Sequence, residues 1–323
     1  MRYLKLFFVM FLLLFSLNNI LTTQNNSEHE EIIKFLREAD GIKFLIDYKI
    51  DGDKIIGYKE RCQIAAIDRF NTLDEVMKIM GKYFSPEAAM LELEKIGLFM
   101  VNGKIGRILA DGDPIYCIVE NSTFEFIVDE EDVKLIKIAM GSIDDVDEHM
   151  DWNNILDFYY KLKKQNNQWK IVDESTQISH YNNNWVIIYS SSCLYGFNLS
   201  NYGEYNLFDK NANTAWVEGA LDDGIGEWVE FSFCLPINIS RIGIINGYAK
   251  SQNIYEANNR VKRLKIVVNS ASCFEVELKD NVMDYQIINL PKEMSVERIR
   301  FIILDVYHGK KYHDTCISEI KFE

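Results

Sequence analysis

Basic residues are in short supply along this chain. Lysine and arginine together number 35 against 49 aspartates and glutamates, which gives a formal net charge of −14. Proteins that bind nucleic acids engage the phosphate backbone through lysine and arginine, and no basic cluster overrides the acidic excess here. Nucleic acid is therefore excluded as a partner, whereas cations and neutral glycans are compatible with an acidic surface.

Catalytic motifs are also missing. The five histidines show no His-Glu-x-x-His spacing, and no Gly-x-Ser-x-Gly elbow exists for a serine nucleophile. Neither a phosphate-binding Walker loop nor a dinucleotide-binding glycine motif occurs. The acidic cluster at residues 144–148 is typical of a solvated loop. We therefore expect a protein that is not an enzyme.

Cysteine is rare and is never closely spaced. The six cysteines form no Cys-x-x-Cys pair, which excludes structural zinc and thioredoxin-like chemistry. Two lie before residue 180 and four after it, so pairing within each half is one interpretation. Free thiols buried in a β-rich core are the other, because unpaired cysteine is among the most often buried residue types. The sequence leaves both open.

The apolar run near the N-terminus is too short for a comfortable membrane span. Residues 6–17 follow Arg2 and Lys5 and have the length of a signal-peptide core, whereas a transmembrane helix needs about 20 apolar residues. We expect residues 1–23 to be a signal peptide that directs the protein to the cell envelope, secreted or periplasmic. An uncleaved N-terminal anchor is the alternative, and no integral membrane domain is expected.

The length of the chain predicts two domains, since 323 residues exceed what one hydrophobic core usually organises. In residues 28–175, Thr72 and Glu75 form a capping box ahead of a helical stripe. A second helix is predicted to begin at Ser85 and Pro86.

Turn residues punctuate the rest of this first half. Residues 51–53 predict one hairpin and residues 102–103 another, within a series of short alternating strands. The helices followed by strands predict an α+β domain, with two helices laid against a curved antiparallel sheet.

The second half alternates as a β-sandwich does. Polar residues 176–184 are expected to be a linker, and residues 185–323 the second domain. Six apolar strands are predicted at residues 228–233, 239–245, 261–268, 274–278, 285–290 and 299–304.

The loop at residues 207–219 concentrates oxygen ligands. Asp209, Asn211 and Asn213 alternate, and hard oxygen donors of this kind suit Ca²⁺. An EF-hand needs glycine at its sixth position and glutamate at its twelfth, whereas this loop has Thr214 and Ala220 there. The EF-hand interpretation therefore fails.

Several spaced blocks over residues 180–323 resemble the discoidin, or coagulation-factor type C, domain family. They are Phe208-Asp209 through Trp216, Gly226-Glu227-Trp228, Asn246-Gly247-Tyr248, Asn259-Arg260-Val261-Lys262, residues 306–310 and residues 314–320. They are most similar to the variant that is appended to some secreted NAD-cleaving enzymes and described as glycan-binding. The resemblance implies a galactose-binding-like jelly-roll sandwich with recognition loops at one end and no catalytic machinery.

The same resemblance implies a structural Ca²⁺ ion, because the first and last strands of such a jelly roll lie side by side. The expected ligands are Asp209, Asn211, Thr214 and Glu319, completed by backbone carbonyls and water. The alternative is that Asp209 and Asn211 merely build turns in which the side chain bonds to the backbone.

The resemblance also implies a ligand-binding set. Its members are Tyr248, Asn259, Arg260 and Tyr307. An aromatic ring can stack on a sugar while amide and guanidinium groups bond to hydroxyls. In the structural alternative, Asn246 and Gly247 form a turn, and Arg260 pairs with an acid such as Asp305.

A second resemblance covers residues 68–175. Residues 72–76, 82–85, 102–104 and 169–171 are similar to the secreted bacterial IseA family, which inhibits cell-wall DL-endopeptidases. A cone-shaped α+β fold of the nuclear-transport-factor type would show much of the same order of elements.

Together these patterns predict an exported, non-catalytic carbohydrate-binding protein. Its sandwich would bind glycan or cell-wall polysaccharide, and its N-terminal module would inhibit or bind a cell-wall peptidase. The alternatives are a secreted hydrolase with an appended glycan-binding domain and a structural adhesion protein.

Overall fold

The computed structural model describes residues 27–43, 51–59, 62–66, 70, 72–96, 98–101, 104–108, 115–118, 122–143, 150–194 and 202–323. The chain divides into two compact units, Met1–Thr176 and Gln177–Glu323. The expected signal peptide, residues 1–23, and the acidic cluster at residues 144–148 lie outside the described residues. No helix in the described ranges is long and apolar enough to cross a membrane.

The described part of the N-terminal unit contains three helices: α1 at residues 27–43, α2 at Leu73–Met80 and α3 at Pro86–Ile96. The amide of Glu75 donates to the Thr72 hydroxyl at 3.2 Å, so α2 begins at the predicted cap. The amide of Ala88 likewise donates to Ser85 at 3.2 Å. Both predicted helices are confirmed, and α1 is the third helix of the described part of this unit.

A four-stranded antiparallel sheet follows α1 in the chain. Its strands are β1 (Asp51–Lys59), β2 (Cys62–Ala66), β3 (Leu98–Val101) and β4 (Lys104–Ile108), in the order β1-β2-β4-β3. Val101 lies opposite Lys104, so β3 and β4 pair as the predicted hairpin requires, and the turn residues 102–103 themselves lie outside the described residues. The turn predicted at residues 51–53 is wrong, because β1 includes them and its hairpin closes between Lys59 and Cys62. Pairing with β2 overrides the local turn preference, at the cost of a shift in register after Asp51.

A five-stranded antiparallel sheet completes the described N-terminal unit. Its strands are β5 (Ile115–Cys117), β6 (Thr123–Asp129), β7 (Val133–Ile143), β8 (Met150–Gln165) and β9 (Gln168–Ser175). The order is β5-β7-β8-β9, with β6 also paired to β7. Helical Leu36, Val76 and Met80 share one buried cluster with Ile138 and Leu162 of this sheet. The α+β architecture predicted for this half is therefore confirmed.

Buried charges join α1 to the rest of its unit. The Lys43 ammonium donates to both carboxylate oxygens of Glu174, at 2.6 and 2.8 Å, and lies 3.1 Å from Glu92. Burial raises the pKa of the nearby Asp40 carboxyl to about 6, partly opposed by a bond from the Ile118 amide and by the charge of Lys43. One lysine thus connects α1 with α3 and β9, which gives these acidic side chains a structural explanation.

The C-terminal unit is a β-sandwich. Its strands are β10 (Ser179–Tyr181), β11 (Asn184–Ser190), β12 (Trp216–Val217), β13 (Trp228–Asn246), β14 (Asn259–Val268), β15 (Ser272–Glu277), β16 (Gln286–Tyr307) and β17 (Thr315–Phe322), with helix α4 at Gln252–Ala257. The pairing order is β10-β11-β13-β16-β14-β17-β12, with β15 on β14. β13 pairs with β17 as well as β16, so the sheet returns on itself around one apolar core. The predicted jelly-roll fold class is confirmed.

Four of the predicted strands merge, two by two, into two long strands. β13 contains the strands predicted at residues 228–233 and 239–245. β16 contains the strand predicted at residues 299–304 and, except for Tyr285, the one predicted at residues 285–290. The register of the pairing between β13 and β16 shifts near Pro236 and near Pro291. Proline has no amide hydrogen for the ladder and is tolerated at such bulges, so the chain bends without leaving the sheet.

The segment expected to be a linker, residues 176–184, contributes to the sandwich. It contains β10, which forms a hairpin with β11. Asn182 and Asn183 have φ angles of 46° and 61°, as a two-residue hairpin turn requires. The ring of Tyr181 packs against Phe208, Phe233 and Phe322. The polar asparagines therefore belong to a tight turn rather than to a spacer.

The cysteines of the C-terminal unit are free thiols. Cys193, Cys234, Cys273 and Cys316 form no disulfide, and Cys234 and Cys316 are buried. Of the two interpretations that the sequence left open, the buried-thiol one therefore applies to those two. The side chains of Cys62 and Cys117 lie outside the described part of the chain.

Candidate functional site

Buried rings hold the loop at residues 209–214 at both of its ends. Before it, a 3-10 turn at Glu204–Phe208 buries Leu207 and packs Phe208 on Phe231. After it, Trp216 is fully buried in β12, and its indole nitrogen donates to the Ser192 carbonyl at 2.9 Å. The loop is therefore fixed against the core.

The structure brings the four predicted metal ligands together. The backbone amide of Asn211 donates to Glu319 Oε1 at 2.6 Å and to Asp209 Oδ1 at 2.9 Å. The Thr214 hydroxyl bonds to Asp209 Oδ2 at 2.8 Å. Glu319 reaches the loop because β17 pairs with β12, which follows the loop directly.

The carboxyl groups of Asp209 and Glu319 lie together, and no basic side chain among the described residues pairs with them. Glu319 is only 3% exposed. Its burial raises its pKa to about 8, the Asp209 carboxyl acts in the same direction, and the amides of Asn211 and Lys210 oppose the rise. A cation between the two groups would relieve their repulsion. Since all the donors are hard oxygens, they fit Ca²⁺, with carbonyls and water completing its shell.

The turn-forming alternative is also visible in this loop. Asp209 Oδ1 accepts from the amide two residues later, and Asn211 Oδ1 accepts from the Asn213 amide at 3.2 Å. Within the described ranges, no group of three or more histidine, cysteine, aspartate or glutamate side chains could hold a metal ion. The calcium site therefore stays a prediction that rests on two carboxylates and their neutral neighbours.

A pocket of about 590 Å³ opens elsewhere on the C-terminal unit. It is lined by Leu194, Tyr202, Val217, Tyr248, Lys250, Asn253, Ile254, Ala257, Asn258, Lys311, Tyr312 and Asp314. Tyr202 and Tyr248 meet edge to face with ring centres 6.5 Å apart, and burial raises the pKa of Tyr248. The wall thus combines aromatic faces with amide, ammonium and carboxylate groups.

The backbone before Tyr248 is closely confined. Gly247 has a φ angle of +77°, and a Cβ at this position would lie 2.5 Å from Arg260 Cγ and 2.7 Å from the Tyr255 ring. The amide of Ala249 donates to the Ser318 hydroxyl at 2.9 Å. Only glycine fits this close approach, so Tyr248 enters the pocket from a fixed backbone.

Asn259, a predicted ligand-binding residue, is fully buried and fully bonded. Its amide nitrogen donates to Asp223 Oδ1 at 2.9 Å and to the His313 carbonyl at 2.6 Å. Its amide oxygen accepts from the Gly309 nitrogen at 2.7 Å. Asn259 therefore holds the loop at residues 308–314, which supplies three of the lining residues of the pocket.

Arg260 is likewise buried and saturated. Its guanidinium binds both carboxylate oxygens of Asp280, at 2.9 and 3.0 Å, and the carbonyls of Asn258 and His308 at 2.9 and 3.1 Å. Asp305, the acid suggested by the sequence, pairs instead with Lys262 at 2.8 Å. Arg260 connects three segments and offers no free donor to the pocket.

The fourth predicted residue, Tyr307, is half-buried, and its hydroxyl donates to the Leu278 carbonyl at 3.0 Å. Of the predicted set, Tyr248 alone is among the residues that line the pocket. Sequence reasoning missed Tyr202, Lys250, Lys311 and Tyr312. The last two lie between two of the blocks that carry the resemblance, whereas Tyr202 has no comparable signal.

A family comparison agrees with this fold. Residues 180–323 match the family model described as "NAD glycohydrolase translocation F5/8 type C domain". The C-terminal unit is thus a domain of F5/8 type C, or discoidin-like, class, as the resemblance implied. The match covers less than half of the 323-residue chain and lies within the C-terminal unit, Gln177–Glu323.

Solved structures also resemble the chain. The family 32 carbohydrate-binding module of NanJ from C. perfringens, in complex with galactose, has 15% identity and a TM-score of 0.33, over 42% of this chain and 92% of that one. A fragment of a putative chitobiase from Bacteroides thetaiotaomicron has 16% identity and a TM-score of 0.36, over 43% and 87%. The arabinofuranosyltransferase AftD from Mycobacteria has 15% identity and a TM-score of 0.34, over 42% of this chain and only 10% of that one. A search of curated proteins found no match.

We predict that Arg260→Gln strongly destabilises the C-terminal unit. Glutamine would leave the Asp280 carboxylate and two carbonyls without their donor, and breaking a buried ion pair costs on the order of 3 kcal/mol. Urea denaturation of the full chain measures the free energy of unfolding.

The matched control is Arg263→Gln in the same strand. Its pair with Glu275 is about half exposed on both sides, so we expect a change within roughly 0.5 kcal/mol. Equal effects of the two substitutions would contradict a supporting role for Arg260.

Proposed function

We propose that this protein is an exported, non-catalytic carbohydrate-binding protein whose discoidin-like sandwich binds glycan in the pocket around Tyr248. One observation carries the proposal: aromatic faces and polar side chains line one concave surface of this unit. Sugars bury the apolar faces of their rings against aromatic side chains, while a few fixed polar groups select the pattern of hydroxyls.

The dimensions of the pocket support a small ligand. Small-molecule sites have volumes of roughly 300–1,000 Å³, and this pocket measures about 590 Å³. Tyr202 and Tyr248 form the inner aromatic pair, and Tyr312 is 43% exposed at the surface. These three rings would provide the stacking surface for one or two sugar residues.

The other predicted residues would act by positioning. Arg260 binds the carbonyl of Asn258, and Asn258 lines the pocket. Asn259 bonds to the carbonyl of His313, between Tyr312 and Asp314 of the lining. Both side chains would therefore keep the pocket open without touching sugar.

We predict that Tyr248→Ala weakens glycan binding by the full chain at least tenfold, or about 1.4 kcal/mol, because the inner stacking face is lost. A glycan array identifies the ligand, and titration calorimetry with that ligand measures the loss. Tyr285→Ala is the control, since this half-buried tyrosine of the same unit is not among the lining residues. Silence of the unaltered protein across cell-wall and host glycans would refute the proposal.

A structural Ca²⁺ ion forms part of the proposal. The ion would bind Asp209 and Glu319, with Asn211 and Thr214 beside them, and would hold the loop at residues 209–214 to β17. Support comes from the two adjacent carboxyl groups and the absence of a basic partner within the described residues. A bound ion would supply positive charge to the loop and would take no part in a reaction.

Calcium is expected to raise the melting temperature of the protein by roughly 5–10 °C at a hundred times its dissociation constant. Asp209→Ala should abolish the rise, because a carboxylate ligand is removed. Glu293→Ala, which removes an exposed carboxylate of the same unit, should preserve it. Identical melting curves in calcium and in chelator would exclude the ion.

The N-terminal unit would bind a cell-wall peptidase, as its resemblance to IseA implies. In this proposal the protein slows the release of peptidoglycan fragments by a DL-endopeptidase and releases none by itself. Fragment release is followed by chromatography with and without the purified protein. Fragments produced by the protein alone would replace this proposal with a hydrolase, and an unchanged rate with the endopeptidase would leave adhesion as the function.

A further inference from the structure

The pocket around Tyr248 carries two lysines without an acidic partner. Lys250 and Lys311 both line it and both are exposed, and neither forms an ion pair with any described residue. The Lys311 ammonium lies 4.7 Å from the centre of the Tyr312 ring. Neighbouring cations differ, since Lys310 pairs with Glu256 and Arg260 pairs with Asp280.

The charge of the lining has the opposite sign to that of its surroundings. Residues 177–323 contain 14 lysines and arginines against 18 aspartates and glutamates. The lining has the two lysines against one carboxylate, Asp314. A cationic rim on an acidic unit is an electrostatic device for selecting anions, because it attracts them locally while the rest of the surface repels them.

We infer that the glycan recognised in this pocket is an acidic one, in which a carboxylate-bearing sugar places its carboxylate between Lys250 and Lys311. The inference rests on the proposed glycan-binding function and names the class of its ligand. The tyrosines contact the apolar face of the sugar ring, Asn253 bonds to its hydroxyls, and the lysines pair with the carboxylate.

Sugars that differ in one group give a direct test. Galactose and galacturonate, like glucose and glucuronate, differ in the carboxylate at carbon 6. Titration calorimetry of the full chain should show at least tenfold tighter binding of the acidic member of a pair. Raising the salt concentration from 50 to 500 mM should weaken binding of the acid and leave that of the neutral sugar nearly unchanged.

Lysine variants locate the preference. In the double variant Lys250→Gln, Lys311→Gln, the acidic sugar should bind no better than the neutral one, whose affinity should stay within about twofold. Lys292→Gln, an exposed lysine of the same unit that is not among the lining residues, is the matched control and should retain the full preference. Because the substituted side chains are exposed, we expect the variants to fold like the unaltered protein. Circular dichroism checks this.

The two levels of the proposal fail in different ways. Equal affinity for acidic and neutral sugars, or a preference that survives in the double variant, would overturn the inference and leave glycan binding standing. Failure of every saccharide to bind, acidic or neutral, would overturn both.

Discussion

The pairing of the last strand with three others is the constraint on which the C-terminal unit depends. β17 pairs with β12, β13 and β14, so residues from three distant parts of the chain meet along one strand. Through this pairing Glu319 reaches the loop at residues 209–214, and Ser318 fixes the backbone beside Tyr248. The candidate calcium site and the pocket therefore depend on the same strand, and loss of its pairing would dismantle both.

Hydrogen bonding separates the polar residues that support the pocket from those that are available to a ligand. Asn259 and Arg260 are buried, and each already bonds to several groups that would otherwise be unsatisfied. Such residues stabilise the loops because a buried polar group without a partner is costly. Lys250, Lys311 and Tyr312 line the pocket and are exposed, so they can bond to a ligand without leaving a buried group unsatisfied. Recognition at this surface would therefore use the rim, while the interior maintains its geometry.

The acidic character of the chain has different consequences in its two units. In the N-terminal unit, Asp40, Glu92 and Glu174 surround Lys43, and their charges connect a helix to the sheet. In the C-terminal unit, Asp209 and Glu319 lie together without such a lysine among the described residues. In the first arrangement a lysine offsets part of the acidic charge, whereas in the second no described basic side chain does so. Acidic clusters that look alike in a sequence thus differ in how their charge is balanced in the fold.

Local signals in the sequence determined what local forces control. The cap at Thr72, the hairpin at residues 102–103 and the alternating strands all follow from neighbouring residues, and the oxygen-rich spacing around Asp209 was visible for the same reason. The turn expected at residues 51–53 failed because pairing with β2 outweighed local preference. Only the tertiary structure decided that Arg260 binds Asp280 and is unavailable to a ligand, and that Lys250 and Lys311 share a pocket with Tyr202. The partner of a side chain depends on which strands and loops pack beside it, and those contacts join residues too far apart in the chain for spacing to reveal.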